Sequence, residues 1–167
     1  HSQNNRLTII FNGEIYNYLE LQESLNKNWD FASESDTETV LAAYHKYGED
    51  CMDHLRGMFS FAVWDDQKQR LFCARDRFGI KPFYYVVVDG VFYFASEAKA
   101  LLPVLPDIET DPEAMAEYLT FNFVIGENTL FKGIKQLLPG HGLMIDGGEL
   151  RIRRYWDVNY QVDWDHG

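Results

Sequence analysis

Cysteine is almost missing from this 167-residue sequence, which holds only Cys51 and Cys73. Their surroundings form neither a disulfide framework nor the spacing of a metal site, so a reducing, cytoplasmic setting is the expectation. Positive charge is short as well: 15 Lys and Arg against 26 Asp and Glu leave a formal net charge of -11. Nucleic acids and anionic membrane surfaces are polyanions that call for clustered cations, so neither is an expected partner. Long apolar runs are lacking too; none approaches the roughly 20 residues that span a bilayer. The polar stretch from His1 to Asn5 has no leader-like apolar segment. Neither a glycine-rich phosphate fingerprint nor a P-loop occurs. The chain opens on His1 rather than Met, and its natural beginning is expected upstream.

What is present is globular. A hydrophobic share of 46% and an aromatic share of 16% supply the apolar surface that a disordered chain lacks. The length fits one domain with one core. Arg6 to Phe11 reads as a buried strand that runs into Asn12 and Gly13, where the chain turns. A helix of about three turns follows from Asn17, with Leu19, Leu21 and Leu25 on its apolar positions, ending near Asn26 to Asn28. Ser35 with Glu38 three residues on forms a capping-box pattern ahead of Val40, Leu41, Ala43, Tyr44 and Tyr47, and Gly48 stands where a C-cap belongs. A short helical stretch through Cys51, Met52 and Leu55 comes next.

The centre of the chain is β-rich. Met58 to Trp64 and Arg70 to Ala74 are aromatic and β-branched runs around a polar turn, Asp65 to Gln69, and predict a hairpin. Phe83 to Val88 and Val91 to Ala95, joined by Asp89 and Gly90, predict a second. Helical pattern returns at Glu97 to Leu102, and at Glu113 to Phe121 behind Asp111 and Pro112. Leu143 to Asp146 and Glu149 to Tyr155 flank Gly147 and Gly148, a third hairpin signal. Strands joined by hairpins, with helices between them, give an α+β layered class with antiparallel sheets. Asp157 to Gly167 has no period and reads as a linker.

The segment Phe11, Asn12, Gly13, Glu14, Ile15, Tyr16, Asn17 carries the clearest chemistry. An Asn and a Gly at a strand end put an amide donor beside an unhindered backbone N–H, which is the hardware of an oxyanion hole. An isolated Asn-Gly pair is more often a plain turn. The whole heptad, however, resembles the motif of class II glutamine amidotransferases, in particular the asparagine synthetase group. Ser35 with Asp36, Gly57 to Trp64 with Asp65, Ala74 to Tyr84 and Phe94 to Leu101 resemble further blocks of that family. So do Thr129 to Phe131, Gly140 to His141 and Arg154 to Asp157.

The resemblance implies a four-layer αββα sandwich of the N-terminal nucleophile hydrolase type, over residues 1–156, with 157–167 leading to a synthetase domain. It implies that the Asn12 side chain and the Gly13 N–H hold an oxyanion, and that Glu14 and Asp36 bind the polar head of glutamine. An acid in the first turn of a helix is also favoured by the helix dipole without any ligand, which is the plain alternative for Asp36. The parent protein is expected to hydrolyse glutamine to glutamate and pass ammonia to an activated acid. No cofactor is expected in this domain, with ATP and Mg in the synthetase domain, and a homodimer is a compatible assembly. The family's nucleophile is a cysteine at residue one, where this sequence has His1, and its upstream arginine segment has no counterpart here. The chain alone is therefore expected to be inactive. Cys51 and Cys73 read as packed thiols, and Arg75 and Asp76 as loop anchors rather than catalysts. A non-catalytic module of the same fold, or a glutaminase serving a different synthase, are the alternative readings.

Overall fold

The computed structural model describes Ser2 and residues 6–160, so the readings that fall on His1 and on 161–167 of the linker lie outside the described residues. Eight strands are described: β1 (Leu7–Ile15), β2 (Gly57–Asp65), β3 (Arg70–Arg75), β4 (Tyr84–Val88), β5 (Val91–Ala95), β6 (Lys135–Gln136), β7 (His141–Asp146) and β8 (Glu149–Arg154). They form two antiparallel sheets, one in the order β1-β2-β3-β7-β8 and one in the order β5-β4-β6. All three expected hairpins pair as adjacent strands. The helices are α1 (Tyr18–Leu25), α2 (Asp36–Tyr47), α3 (Cys51–His54) and α4 (Pro112–Phe121), with a 3-10 helix over Ala98–Val104.

The period of two along each strand sends alternate residues into different cores, which is how four layers arise. Phe59, Phe61, Val63 and Phe72 face one way and pack with Val40, Leu41 and Tyr44 of α2 and with Leu21 and Leu25 of α1. Ala62, Cys73 and Leu143 face the other way and meet Phe83, Tyr85 and Leu137 of the second sheet. Tyr84, Val86 and Val88, on the far side of that sheet, pack against Leu101 and Leu102 of the 3-10 helix. The order is helices, sheet, sheet, helix, as expected of the αββα sandwich. Phe59 and Phe61 are 0% and 1% exposed, and each such side chain contributes roughly 1.5–3 kcal/mol of burial. No described helix is long and apolar enough to cross a membrane.

Four local expectations change. Strand β1 does not stop at Phe11; it runs through Asn12, Gly13 and Glu14 to Ile15, paired throughout with β2. Glycines allow it: a Cβ on Gly13 would lie 2.3 Å from the Met58 carbonyl oxygen, and one on Gly57 2.1 Å from that of Glu14. Helix α1 is only 8 residues long. Ser35 caps α2 by accepting from the Thr37 N–H at 3.2 Å, but Glu38 does not return to Ser35 as a capping box would. Its carboxylate instead accepts from the Ala32 and Ser33 N–H groups and from Trp29 Nε1. Burial alone would raise the Glu38 carboxyl, but these donors and the Ser33 hydroxyl hold it below the usual range. The segment expected as a helix at Glu97 to Leu102 is a 3-10 helix, with Pro103 inside it.

The link between the sheets is fixed by two buried ions. Asp76 is 1% exposed, and its carboxylate accepts from the N–H groups of Phe59, Phe78, Ile80 and Lys81. The Arg75 guanidinium donates to the carbonyls of Gly79, Lys81 and Leu137, and burial pulls its pKa down. Both side chains satisfy backbone groups that would otherwise be buried alone. They are loop anchors in this structure. Replacing Asp76 by Asn turns one acceptor oxygen into a donor facing two N–H groups. We expect Asp76→Asn to destabilise the fold by about 3 kcal/mol, read as a lower urea midpoint; an unchanged midpoint would refute the clamp.

Candidate functional site

The site is set by which backbone groups of β1 are used up by β2. In an antiparallel ladder, opposed residues alternate between pairs that exchange both hydrogen bonds and pairs that exchange none. The two ends of the ladder fix the alternation here: the Asp66 N–H donates to the Arg6 carbonyl at 2.9 Å and the Tyr16 N–H to the Arg56 carbonyl at 2.7 Å. In the same register, Asn12 with Ser60 and Glu14 with Met58 are bonded pairs, and Gly13 with Phe59 is not. Phe59 confirms this from its other side, since its carbonyl accepts from the Asp76 N–H and its N–H donates to the Asp76 carboxylate.

The N–H of Gly13 therefore points away from β2, to the outer edge of the sheet. It has no hydrogen-bond partner among the described residues. Two neighbours of the same parity on β1 do have outer partners. Leu7 donates to Ser2 Oγ at 3.0 Å, and Ile15 donates to Asp36 Oδ2 at 3.1 Å. Asp36 thus lies in line with the Gly13 N–H, two residues along the edge, or about 7 Å at the strand rise. It is the first residue of α2, and the Glu38 contacts that tie down 29–33 fix the approach to it.

Side chains of the even residues of β1 leave the sheet on the face toward the second sheet. Asn12 Nδ2 donates to Ser96 Oγ at 3.2 Å, just beyond β5. Glu14 leaves on the same face and is exposed. Ile10, 63% exposed, borders an open groove between the sheets with Ser60, Phe83, Phe94 and Ser96. Asn12, Gly13 and Glu14 are consecutive on one strand, and Asp36 is hydrogen-bonded to the residue that follows them. All four are gathered at one end of β1. The arrangement offers an unhindered backbone donor and an amide donor for negative charge, with two carboxylates nearby for a cation.

Sequence reasoning missed two residues here. Asn17, 8% exposed, ends the strand: its Oδ1 accepts from the Arg56 N–H at 2.9 Å and its Nδ2 donates to the His54 carbonyl at 3.0 Å. Its place in the heptad was the available signal. Ser96 had none beyond the Phe94 to Leu101 block. Both cysteines are wholly buried, and burial pushes their thiols far up. Since the thiolate is the reactive form, neither serves as a nucleophile.

The family described as "Glutamine amidotransferase domain" matches residues 1–156. Asparagine synthetase [glutamine-hydrolyzing] 1 of Bacillus subtilis is 44% identical over 155 residues, 92% of this chain and 24% of that protein. Amidase chyE of Penicillium rubens is 37% identical over 168 residues, 99% of this chain and 24% of that protein. The chain thus spans about a quarter of the length of these curated relatives. Among solved structures, glutamine phosphoribosylpyrophosphate amidotransferase from B. subtilis superposes with a TM-score of 0.63 at 20% identity, covering 93% of this chain and 30% of that one. At that identity the likeness speaks for the fold.

The close approach of Gly13 to β2 can be tested directly. Gly13→Ala places its Cβ 2.7 Å from the Phe59 Cα, a contact between backbones that no rotamer relieves. Destabilisation of about 2 kcal/mol or more is expected in urea unfolding; a variant as stable as the parent would show that the strands are spaced otherwise.

Proposed function

The chain belongs to the glutamine amidotransferase domain family, and from that premise we propose that it is the glutaminase part of a larger amidotransferase of the asparagine synthetase type. The observation that carries the proposal is the outward N–H of Gly13, set between the Asn12 amide and the Asp36 carboxylate. Glutamine lies along the outer edge of β1 with its α-ammonium toward Asp36 and Glu14 and its carboxamide at Gly13. Attack on the carboxamide carbon turns the carbonyl oxygen into an oxyanion. The Gly13 N–H and the Asn12 Nδ2 donate to it, and donors fixed before the reaction stabilise the charge without reorganising. Collapse of that intermediate expels ammonia, and hydrolysis of the acyl group releases glutamate.

The attacking thiol is not one of the described cysteines, both of which are buried. In the family it belongs to a cysteine at the mature N-terminus, and the proposed hydrolysis depends on such a thiol. The synthetase part, where ATP and Mg would activate the acceptor acid, is covalently linked downstream. Leu119, Phe121, Phe123 and Ile125 support a domain contact, being apolar and at least 50% exposed. A cytoplasmic setting suits two free thiols. The acceptor is aspartate on the strength of the asparagine synthetase relatives, while the similarity to an amidase keeps a different acid as the second reading.

Glutamate release by the full-length protein, with and without aspartate and ATP, tests the proposal. Glutamine is expected to be hydrolysed, with Asn12→Ala lowering kcat by about 10²- to 10³-fold. No glutamate from the intact protein, or an Asn12→Ala variant as fast as the parent, would favour a non-catalytic module with the same fold.

A further inference from the structure

An oxyanion donor on a side chain has a problem that a backbone N–H does not. The Asn12 side chain rotates about two bonds, and its amide presents two N–H donors on one side and a carbonyl acceptor on the other. Turned over, it would direct lone pairs at a developing negative charge. Something must hold it in place.

One of its donors is already committed, since Nδ2 donates to Ser96 Oγ at 3.2 Å. Ser96 itself is held at both ends. On one side Ala95 pairs with Tyr84 in the second sheet. On the other side the 3-10 helix Ala98–Val104 is anchored by Leu101, 3% exposed. The hydrogen bond joins residues 84 positions apart in the chain and ties the edge strand of one sheet to the end of a strand in the other.

Resting on the reading of Asn12 as an oxyanion donor, we infer that Ser96 is a positioning residue for glutamine hydrolysis. Its hydroxyl oxygen takes one Nδ2 proton, which holds the side chain against the second sheet, and leaves the other proton for the oxyanion. Ser96 does not touch the substrate. Its effect is confined to the step in which charge develops, because a carbonyl in the ground state gains little from a donor that strengthens only against an anion. The ground-state grip on glutamine, through the carboxylates of Asp36 and Glu14, is independent of it.

The test uses the full-length protein and steady-state glutamine hydrolysis by the parent, Asn12→Ala, Ser96→Ala, Ser96→Thr and the Asn12→Ala/Ser96→Ala double variant. Loss of one neutral hydrogen bond should lower kcat about three- to tenfold in Ser96→Ala, with KM within about twofold of the parent. Ser96→Thr keeps the hydroxyl and should recover most of that loss. On the Asn12→Ala background, Ser96→Ala should cost nothing more, because the group it orients is gone. An unchanged kcat in Ser96→Ala, a loss that Thr does not recover, or a loss that multiplies with that of Asn12→Ala would each overturn the role of Ser96 while the role of Asn12 stands. If the parent hydrolyses no glutamine, or Asn12→Ala is as fast as the parent, the underlying reading fails and the positioning role falls with it.

Discussion

The pairing of β1 on one side only is the constraint from which the rest follows. A strand between two neighbours spends every N–H and C=O on its ladders, whereas an edge strand spends only every second one. Here β1 is the last described strand of its sheet, so its odd residues direct their backbone outward. Ser2 and Asp36 take up the two ends of that row. Between them, the register places an outward N–H at the one position of the strand that has no side chain, Gly13. The same glycine is demanded by β2, whose Met58 and Phe59 backbone occupies the space a Cβ would need. One residue thus answers two requirements, one of packing and one of proposed chemistry.

The geometry of that edge is inherited from the middle of the molecule. Phe59 can turn its N–H and carbonyl away from β1 because Asp76 partners both on the other side, its carboxylate accepting from the N–H and its own N–H donating to the carbonyl. Asp76 in turn orders the loop through Phe78, Ile80 and Lys81, while Arg75 ties the same loop to Leu137 next to β6. Buried ions of this kind are stable where each lone pair and proton has a partner, and here the partners are mostly backbone. The chain of contacts runs from the loop between the sheets to the register of β1 and so to the direction of a single N–H.

Much of this could be read from the residues. The alternation Phe59, Phe61, Val63, the turns at Asp89-Gly90 and Gly147-Gly148, and Ser35 with Gly48 around α2 are local signals, and the structure follows them. The four-layer class came from family resemblance and stands. What failed were features decided by tertiary contact. Asn12 and Gly13 look like a turn by propensity, yet pairing with Ser60 and Phe59 keeps them in a strand. Glu38 fits a capping box by spacing, yet a loop folded back by Trp29 and Ser33 claims its carboxylate. Strand β6 is 2 residues long, too short to carry a period. Ser96 meets Asn12 only because two sheets stack.

A structure of the full-length protein with a γ-aldehyde analogue of glutamine bound covalently at its nucleophile would show whether the outward Gly13 N–H and the Asn12 amide share one oxyanion. The oxygen of the tetrahedral adduct is expected about 2.7–3.1 Å from both the Gly13 nitrogen and Asn12 Nδ2, with the analogue's α-nitrogen toward Asp36. An adduct seated elsewhere, or a Gly13 N–H taken up by another strand, would contradict this arrangement.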